Sequence, residues 1–451
     1  MEIVIVGGGK LGSALCQDLA NEGHEIVVID QNQDKIDSLI ENIDIRGVQG
    51  NGSTIEIQKE ADVPRADVFI AVTPNDETNL IAATTANRLG AKFTIARVRN
   101  PEYARDLSFY QKELGIGMLI NPDAEAAADI TRAFDYPAAL TIEPFAGGMV
   151  DIVQIRVNPG SAITGRNLAE IRAEIPELLL CAIDRDFETI IPKGNTTLEG
   201  HDTIQMVGRP KAIHQFSRLC GHKNERWRTA LIVGGSRIAY YLIPDLLKRG
   251  VRVKLIEYDA TVAEHFAINF PDAEIIIGDG TDQKFLRQMH IANHDVAIAL
   301  LNIDEENLML SLYARQQGVP KTITKVNRRE LLKLIDKDLL DTIVTSHISS
   351  NDRIIHYIRS REKTVSSNLE TYARLNSENT EALEFIAHKN AKICRATIAE
   401  LKFKPNILVA HIMRGIRRII PSGADQIREG DRVLVVTLGH RIAELDDILE
   451  D

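Results

Sequence analysis

The sequence predicts an α/β protein made of two tandem repeats, each a doubly wound parallel sheet followed by a small α+β domain. Three observations lead to this prediction. An apolar run enters a glycine loop at the amino terminus, strand-like and helix-like patterns alternate after it, and the same arrangement returns in the second half of the chain. A chain of 451 residues is long enough for roughly three to four domains.

The first thirty residues carry a strand, a glycine loop, a helix and a second strand. The apolar residues 3–6 are too few for a helix, and a G-x-G-x-x-G motif with Gly7, Gly9 and Gly12 follows at once. These glycines permit a tight turn, close approach of backbone N–H groups to a phosphate, and close packing of the helix. The second strand ends at Asp30, whose carboxylate can accept both hydroxyls of an adenosine ribose and would repel a 2′-phosphate.

The order of these elements is more informative than the glycines alone. A glycine-rich turn occurs in many α/β domains, but here strand, glycines, helix, strand and acid follow in sequence. The pattern therefore predicts a Rossmann-like domain that favours NAD(H) or an adenine nucleotide over NADP(H).

The sequence pattern of the first repeat changes after the first sheet, from alternating strands and helices to short strands separated by turns. Further strands of that sheet are predicted at residues 45–48, 68–73, 93–98 and 118–120. A helix is predicted at residues 123–136, where Pro137 stops it. Strands at residues 150–157, 178–183 and 204–207, with turn signals between them, predict the small α+β domain.

The same order of predicted elements begins again at Arg228. Glu257 lies 227 positions after Asp30, and the turn at residues 278–281 lies 228 positions after the turn at residues 50–53. The small domain repeats as well, since residues 419–430 match residues 190–200. Near-constant offsets predict a tandem duplication with domains at residues 1–122, 140–223, 228–347 and 370–451.

Composition excludes several function classes. A net charge of −11 argues against nucleic-acid binding, which needs a basic stripe. The sequence has no apolar run of membrane-spanning length and no signal-peptide pattern, so a cytoplasmic location is expected. The four cysteines are scattered without C-x-x-C pairs, which argues against a zinc site or a disulfide scaffold.

The Asn51-Gly52 turn follows the third strand, at the edge where open α/β sheets bind ligands. It can contact the adenine and the ribose. The equally weighted alternative is a plain turn in which Ser53 is a helix N-cap.

Polar residues also follow the fourth and fifth strands. Thr73 and Asn79 can face a ligand, whereas capping of the next helix is the favoured role of Asp76. Arg97 and Arg99 alternate onto one side, where a guanidinium can clamp phosphate oxygens. The alternative for the two arginines is a solvated pair at the strand end.

Catalytic groups are hard to find in this sequence. A dehydrogenase needs an acid or base and a cation near the nicotinamide. His201, His214 and His222 are predicted to be surface residues. His290 and His294 have i, i+4 spacing but flank a turn and lack further ligands. We therefore predict no catalytic site, no metal site and a protein that is not an enzyme.

The ordered motifs resemble those of the RCK (KTN) regulators of potassium transport over essentially the whole chain. The motifs are GGGKLG, IDQN, GNGS, AVTPNDETN and ARVRNPEY, followed by IPKG and LEG in the small domain. The resemblance implies two tandem pairs of RCK N-terminal and C-terminal domains. It also implies a site for NAD(H), or alternatively ATP/ADP, lined by Gly7, Gly8, Gly9, Lys10, Leu11, Gly12, Asp30, Asn51, Gly52 and Thr73, with Arg97 and Arg99 on the nucleotide phosphates.

The resemblance further implies a cytoplasmic regulatory subunit, peripheral to the inner face of the cell membrane. Such a subunit assembles with copies of itself as a tetrameric ring beneath a TrkH- or TrkG-type membrane potassium channel subunit. The helix at residues 123–136 would pair units through Ala127, Ile130 and Phe134, which share one face.

The second repeat departs from this pattern. Ser236 and Ala239 replace glycines, Tyr240 and Tyr241 are expected to crowd the first helical turn, and Pro244 is expected to interrupt the helix. Two acids remain in place, so a second nucleotide site stays a candidate. Its residues would be Gly234, Ser236, Glu257 and Asp279.

The leading hypothesis is a nucleotide-sensing gating subunit of a Trk-type potassium channel or transporter, because two nucleotide-type domains occur without catalytic groups. The alternative is an NAD-dependent dehydrogenase with a duplicated subunit. The soluble part of an ion exchanger is disfavoured. The residues leave open whether NADH or ATP is the signal and whether binding opens the pore. A solvated linker is the favoured interpretation of the basic residues Arg359, Arg361 and Lys363.

Overall fold

The structure is a computed structural model. It describes all residues except 105, 187, 224–225, 329–330, 332–339, 346–349, 352, 356, 359–368, 376–379, 441, 443 and 451. The basic residues Arg359, Arg361 and Lys363 therefore lie outside the described residues. The chain forms two compact units, one of Met1–Thr131 with Trp227–Ile358 and one of Arg132–Arg226 with Arg359–Asp451.

The amino-terminal domain contains a six-stranded parallel sheet. Its strands are β1 (Glu2–Val6), β2 (Glu25–Asp30), β3 (Arg46–Gln49), β4 (Val68–Ala71), β5 (Phe93–Arg97) and β6 (Met118–Ile120). Its helices are α1 (Lys10–Asn21), α2 (Gln33–Asn42), α3 (Ile55–Glu60), α4 (Asp76–Leu89), α5 (Pro101–Ala104), α6 (Leu107–Leu114) and α7 (Pro122–Asp135). The strand order is β3-β2-β1-β4-β5-β6.

Strand β1 is apolar along its length because both faces of the sheet are covered. Ile3 and Ile5 lie in the core on one face, and Val4 and Val6 lie in the core on the other. Side chains alternate along a strand, so a strand that is buried on both faces needs a continuous apolar run. This explains why residues 3–6 could be assigned to a strand from sequence.

The first small domain is an antiparallel sheet with two helices. Its elements are β7 (Thr141–Phe145), β8 (Val150–Arg156), α8 (Leu168–Glu174), β9 (Leu178–Arg185), β10 (Glu188–Ile190), β11 (Thr203–Gly208) and α9 (Pro210–Leu219). The strand order is β10-β9-β11-β8-β7.

The second repeat begins with another six-stranded parallel sheet. Its elements are β12 (Thr229–Val233), α10 (Arg237–Lys248), β13 (Arg252–Glu257), α11 (Ala260–Asn269), β14 (Glu274–Ile277), α12 (Gln283–Gln288), β15 (Val296–Ala299), α13 (Asp304–Gln316), β16 (Lys321–Lys325) and β17 (Thr342–Val344). The order β14-β13-β12-β15-β16-β17 reproduces that of the first sheet strand for strand.

The last domain repeats the antiparallel sheet. Its strands are β18 (Leu369–Leu375), β19 (Thr380–Ile386), β20 (Ile407–Arg414), β21 (Arg417–Ile419) and β22 (Arg432–Leu438), in the order β18-β19-β22-β20-β21. Short 3₁₀ turns lie at Val63–Arg65, Ala146–Gly148, Ile291–Asn293, Lys392–Arg395 and Leu445–Ile448. The predicted fold class, a tandem of doubly wound parallel sheets each with a small domain, is confirmed.

Two predictions about helices have different outcomes. The helix predicted at residues 123–136 is confirmed by α7. The expected interruption at Pro244 is wrong, because α10 runs from Arg237 to Lys248 with this proline inside it. A proline removes one backbone donor, and the buried Leu242 and Ile243 beside it hold the helix on the sheet.

Residues that follow the second parallel sheet pack on the first sheet. Ile354 and Ile358 of the second repeat are fully buried in the core that covers Ile3 and Ile5. On α7, Ala127 and Ile130 are 2% and 0% exposed, and Phe134 is half-buried.

Helix α7 also contacts the second repeat through Glu125. Its Glu125 accepts a hydrogen bond from the Ser350 hydroxyl (2.6 Å) and an ionic one from Arg353 (2.5 Å). No helix in the part of the chain that the structure describes is long and apolar enough to cross a membrane.

Candidate functional site

The loop between β1 and α1 requires glycine at the places that the sequence motif indicated. Gly7 has φ +106°, which side chains rarely allow. A Cβ on Gly12 would lie 1.8 Å from the carbonyl oxygen of Gly7, so helix and strand are in close contact there. Gly9 faces open space. We call this loop, together with the tip of β2, the first cradle.

The amino end of α1 presents unpaired donors in this cradle. Among the described contacts, no acceptor within the protein is found for the backbone N–H groups of Gly9, Lys10, Leu11 and Gly12. The first N–H groups of a helix lack intrahelical partners, and the helix dipole adds partial positive charge at this end. The arrangement suits an anion such as a phosphate.

The Asp30 carboxylate is held at the edge of the same loop. Its Oδ2 accepts the N–H of Gly8 at 2.7 Å, and its Oδ1 accepts the N–H of Asn32 at 2.9 Å. Lys35 Nζ lies 3.9 Å from Oδ2, and the Asp30 side chain is 12% exposed. Each oxygen can accept a second hydrogen bond, so the carboxylate is oriented with capacity left for two hydroxyls.

The Asn51-Gly52 turn lies against β1 at the same edge of the sheet. A Cβ on Gly52 would lie 2.2 Å from a methyl group of Val6. The Asn51 Oδ1 accepts both the N–H (3.1 Å) and the hydroxyl (2.8 Å) of Ser53. The alternative in which Ser53 caps the next helix is wrong, because Thr54 is the N-cap residue of α3.

Thr73 lies beside the first cradle, whereas Asn79 is withdrawn from it. A Cβ on Gly7 would lie 3.1 Å from the Thr73 nitrogen. Asn79 is fully buried; its amide oxygen accepts the Thr73 N–H (2.8 Å) and hydroxyl (2.7 Å), and its Nδ2 donates to the Arg97 carbonyl (2.9 Å). Asn79 therefore ties β4 to β5, and the prediction that it faces a ligand is wrong.

Asp76 does not cap α4, so the prediction of a capping role is wrong. Asn75 is the N-cap residue, and its side chain accepts the N–H of Thr78 at 2.6 Å. The Asp76 Oδ2 instead accepts the backbone N–H groups of Arg99 (2.9 Å) and Asn100 (2.7 Å). It fixes the segment that follows β5, next to the two predicted phosphate ligands.

Arg97 and Arg99 do not form the solvated pair that was the alternative. Arg97 is 6% exposed and donates to the Thr73 carbonyl oxygen at 2.6 Å. Its burial lowers the pKa of the guanidinium to about 10. Arg99 instead makes a two-pronged ion pair with Asp123 of α7, at 2.7 and 3.2 Å. Arg97 thus binds the backbone of Thr73, which lies beside the first cradle, whereas Arg99 is committed to an internal carboxylate.

The loop between β12 and α10, with the tip of β13, forms a second cradle. Glu257 Oε2 accepts the N–H of Gly235 at 2.5 Å, and Oε1 accepts the N–H of Asp259 at 2.8 Å, as Asp30 does in the first. The Asp279 carboxylate accepts the N–H and hydroxyl of Thr281, which lowers the pKa of the acid. Ser236 is the N-cap residue of α10, and Gly234 has φ +103°.

The tyrosines of α10 are engaged elsewhere instead of crowding this loop. Tyr240 contacts an aromatic cluster that includes Phe270, with ring centroids 5.0 Å apart. The Tyr241 hydroxyl accepts a hydrogen bond from Asn121 and donates one to the Arg99 carbonyl, both at 2.9 Å.

Comparison with known proteins assigns these domains. The TrkA-N domain model matches residues 3–122 and 230–346, which carry the two parallel sheets. The TrkA-C domain model matches residues 152–221 and 382–450, which carry the antiparallel sheets. The chain belongs to the TrkA family. Both cradles lie within TrkA-N domains.

Curated relatives match over almost the full chain. The Trk system potassium uptake protein TrkA homolog 2 of Methanosarcina mazei is 28% identical and covers 100% of both chains. The TrkA homolog of Archaeoglobus fulgidus is 30% identical over 99% of this chain and 100% of its own. TrkA of Haemophilus influenzae is 30% identical over 96% of this chain and 95% of its own.

Solved structures share the fold. The crystal structure of the GsuK RCK domain superimposes with a TM-score of 0.62 at 19% identity, covering 97% of this chain and 92% of that one. The GsuK channel bound to NAD gives the same TM-score and identity over 97% of this chain and 76% of that one.

Two residues of this TrkA-family site were missed by sequence reasoning. Asp123, 4% exposed, is the partner of Arg99, and Asn121 joins it at the start of α7 through its bond to Tyr241. An acid in the first turn of a helix normally indicates helix stabilisation, so Asp123 carried no separate signal for its pairing with an arginine 24 positions earlier.

The histidines singled out in the sequence differ in exposure. His201 is exposed as predicted, whereas His214 and His222 are half-buried, which corrects their prediction as surface residues. The ring of His222 contacts the Arg156 carbonyl at 2.6 Å. Within the residues that the structure describes, no group of three or more His, Cys, Asp or Glu side chains could hold a metal ion.

The second compact unit contains a cavity of about 160 Å³. Its lining includes Tyr136, Asp151, His411 and Arg418. The Tyr136 hydroxyl donates to Asp151 at 3.1 Å, and burial raises the pKa of this carboxyl group. Burial lowers the pKa of His411 to about 4, with Arg418 adding to the effect. The cavity therefore combines a neutral imidazole with a carboxyl group whose pKa is raised by burial.

Proposed function

We propose that this TrkA-family chain is the nucleotide-sensing regulatory subunit of a Trk-type potassium channel or transporter, and that NAD(H) or ATP/ADP binds in the first cradle. One observation carries the proposal. Four N–H groups at the start of α1, which have no acceptor among the described residues, lie beside the oriented carboxylate of Asp30. Phosphate and ribose, the two parts shared by these nucleotides, require this pair of features.

The surrounding residues fit such a ligand. Phosphate oxygens would accept from the N–H groups of residues 9–12, where Gly9 leaves open space for their approach. The ribose hydroxyls would donate to Asp30, and the Asn51-Gly52 turn would border the adenosine. Thr73 and Arg97 would lie on the far side of the loop, since a Cβ on Gly7 would contact the Thr73 backbone. A structure of the GsuK channel, which shares this fold, is bound to NAD.

A sensor needs a route by which the bound nucleotide changes the protein. The Arg99 side chain is held by Asp123, and its backbone carbonyl by the Tyr241 hydroxyl, which connect the segment after β5 to α7 and to the second repeat. A nucleotide phosphate that competes for Arg99 would weaken these contacts. The ligand then favours one arrangement of the domains, and a tenfold difference in affinity between two arrangements corresponds to about 1.4 kcal/mol.

The family supports a membrane potassium transport system as the partner. The curated relatives are Trk system potassium uptake proteins. We infer that this chain acts at the cytoplasmic face of the membrane on a TrkH- or TrkG-type potassium channel subunit, and that it assembles as a homo-tetrameric ring. Its affinity for that subunit would depend on the bound nucleotide.

The test begins with the purified full-length protein. Mass spectrometry identifies any retained nucleotide, and calorimetric titrations compare NADH with ATP. Asp30→Ala removes the ribose acceptor and should weaken binding by at least about tenfold, the loss of one charged hydrogen-bonding group. Asp44→Ala, at an exposed acid of the same domain, is the matched control and should bind like wild type.

A second measurement tests the regulatory role. The protein should co-purify with a membrane potassium channel subunit, and NADH or ATP should alter the flux of potassium through that complex. Unchanged nucleotide affinity in Asp30→Ala would remove the proposed site. Steady oxidation or reduction of the cofactor with a small carbonyl or hydroxy-acid substrate would instead identify an NAD-dependent dehydrogenase.

A further inference from the structure

The two cradles differ in the number of backbone N–H groups that remain for a phosphate. In the first, the N–H groups of residues 9–12 have no acceptor among the described contacts. In the second, the Ser236 N–H donates to the Gly234 carbonyl oxygen at 2.9 Å. The Ala239 N–H is directed to the Ser236 hydroxyl at 3.4 Å. Only the N–H groups of Arg237 and Ile238 remain without a described acceptor, half as many as in the first cradle.

The methyl group of Ala239 explains this difference. At the matching position of the first cradle, a Cβ on Gly12 would lie 1.8 Å from the carbonyl oxygen of Gly7. Ala239 carries such a Cβ, so the carbonyl of Gly234 cannot occupy the equivalent place. It is turned to accept the Ser236 N–H, and that donor is lost for ligand binding.

The adenosine end of the second cradle is not reduced in this way. Glu257 keeps the carboxylate at the strand tip, with both oxygens oriented by backbone N–H groups. Its neighbours are more apolar than those of Asp30. Tyr258 follows Glu257 and is 78% exposed. Ile277, the register partner of Glu257 on β14, is 58% exposed.

The first cradle has polar side chains at these two places. Gln31 follows Asp30, and Gln49 is the register partner of Asp30 on β3. An exposed aromatic ring beside a ribose acceptor offers a flat apolar surface for a purine base. The second cradle has therefore gained base-binding surface while losing phosphate donors.

Two cations border the second cradle. Arg237 is the first residue of α10, its backbone N–H is one of the two remaining donors, and its side chain is exposed. Lys325, the counterpart of Arg97, donates to the Leu300 carbonyl oxygen at 3.4 Å, beside Gly234. One phosphate group can be satisfied by a guanidinium and two N–H groups. A pyrophosphate has more oxygens to satisfy, and the second cradle offers it two fewer backbone N–H donors than the first.

We infer that the second cradle binds an adenosine carrying one 5′-phosphate, whereas the first binds the dinucleotide or the triphosphate. The inference rests on the proposed function, because it takes the first cradle as the reference for a nucleotide site in this chain. The protein would then sense two different adenine nucleotides at two sites. Ser236, Ala239 and Tyr258 are the residues that set the difference in specificity.

The experiment uses the full chain with Asp30→Ala, which weakens the first cradle, and calorimetric titration with AMP and with NADH. AMP should bind with one site per chain, and at least about tenfold more tightly than NADH. Adding Glu257→Ala should abolish AMP binding. Adding Tyr258→Ser, at an exposed position, should weaken AMP binding by roughly tenfold, the value of one stacked aromatic contact.

A gain-of-function variant separates specificity from misfolding. Ser236→Gly with Ala239→Gly restores the glycine pattern, and in the Asp30→Ala background it should raise NADH affinity by at least about tenfold. The inference is overturned if AMP fails to bind Asp30→Ala, or if NADH binds that protein as tightly as AMP. If wild type binds NADH while Asp30→Ala binds neither, only this inference fails. If wild type binds no nucleotide at all, the proposed function fails with it.

Discussion

The hydroxyl of Tyr241 donates a hydrogen bond to the backbone carbonyl oxygen of Arg99 at 2.9 Å. It also accepts one from Asn121 at the same distance. Burial raises the pKa of this phenol to about 12, so the donor keeps its proton at neutral pH. Tyr241 lies on the helix that opens the second cradle, and Arg99 follows a strand of the first sheet. One side chain thus connects the two nucleotide-type domains beside a predicted phosphate ligand.

Tyr241→Phe should lower the free energy of unfolding by about 1–3 kcal/mol, because it leaves a carbonyl and an amide without their partner. The same change should alter NADH affinity at the first cradle, since the segment carrying Arg99 loses an anchor. Denaturant unfolding and calorimetry measure the two effects.

Tyr240→Phe is the matched control for this prediction. Its hydroxyl donates to Asn269 of the second repeat at 3.4 Å. The control should leave NADH affinity unchanged. Equal effects of the two variants on affinity would show that Tyr241 does not link the cradles.

The ion pair between Arg99 and Asp123 makes a second prediction possible. Asp123 is 4% exposed, so Arg99→Met leaves a buried carboxylate without its cation and should cost about 2–4 kcal/mol of unfolding free energy. The double variant Arg99→Met with Asp123→Asn should be more stable than Arg99→Met alone. Denaturant unfolding of the four proteins gives this coupling as a double-mutant cycle.

The same pair tests the expected role of Arg99 toward phosphate. Asp123→Asn releases the guanidinium from its internal partner. If Arg99 clamps the nucleotide, Asp123→Asn should bind ATP several-fold more tightly than wild type, by roughly 0.5–1.5 kcal/mol, the range of one hydrogen bond. Unchanged ATP affinity in Asp123→Asn would limit Arg99 to its structural role.

Much of the fold could be predicted because its signals are local. The apolar residues of β1 and the glycines after it stand within ten positions of one another, and the second copy repeats them. β7 and β10 were not predicted. They are the edge strands of their sheet, and one contains Pro144 while the other has three residues. Edge strands need little apolar patterning, so their sequence signal is weak.

The parts of the site that were missed depend on contacts between distant residues. The pairing of Arg99 with Asp123 and the burial of Asn79 behind Thr73 follow from how α4 and α7 pack on the sheet. Each side chain has an ordinary local interpretation, as a cap or a surface charge. Each small domain also contains an equivalent ion pair that no motif indicated. Arg185 pairs with Asp202 in the first and Arg414 with Asp431 in the second, both at 2.7 Å.

The stability of the second compact unit should depend on pH through His411. Its pKa is lowered to about 4, so the fold prefers the neutral imidazole. The stabilising contribution is present above the unfolded value near 6.5 and is lost as pH falls through about 4. Between pH 7 and 4.5 the wild type should lose about 2–3 kcal/mol more than His411→Gln.

Chemical denaturation at the two pH values measures this difference. Asp151 titrates in both proteins, so its contribution cancels in the comparison. His388→Gln, at an exposed histidine, is the control and should follow the wild type. An equal loss of stability in wild type and His411→Gln would place the titration elsewhere.

Two glycines of the loop between β1 and α1 are needed for different reasons, one for folding and one for binding. A Cβ on Gly12 would collide with the Gly7 carbonyl at 1.8 Å, so Gly12→Ala should lose about 1–3 kcal/mol of stability, as overpacked sites do, together with nucleotide affinity. Gly9 has ordinary backbone angles and nothing within 4 Å of an added Cβ. Gly9→Ala should therefore fold like wild type yet bind NADH at least about tenfold more weakly, because its methyl group would occupy the space where the phosphate approaches. Thermal unfolding and calorimetry distinguish the two variants. Wild-type NADH affinity in Gly9→Ala would mean that no phosphate rests on the start of α1.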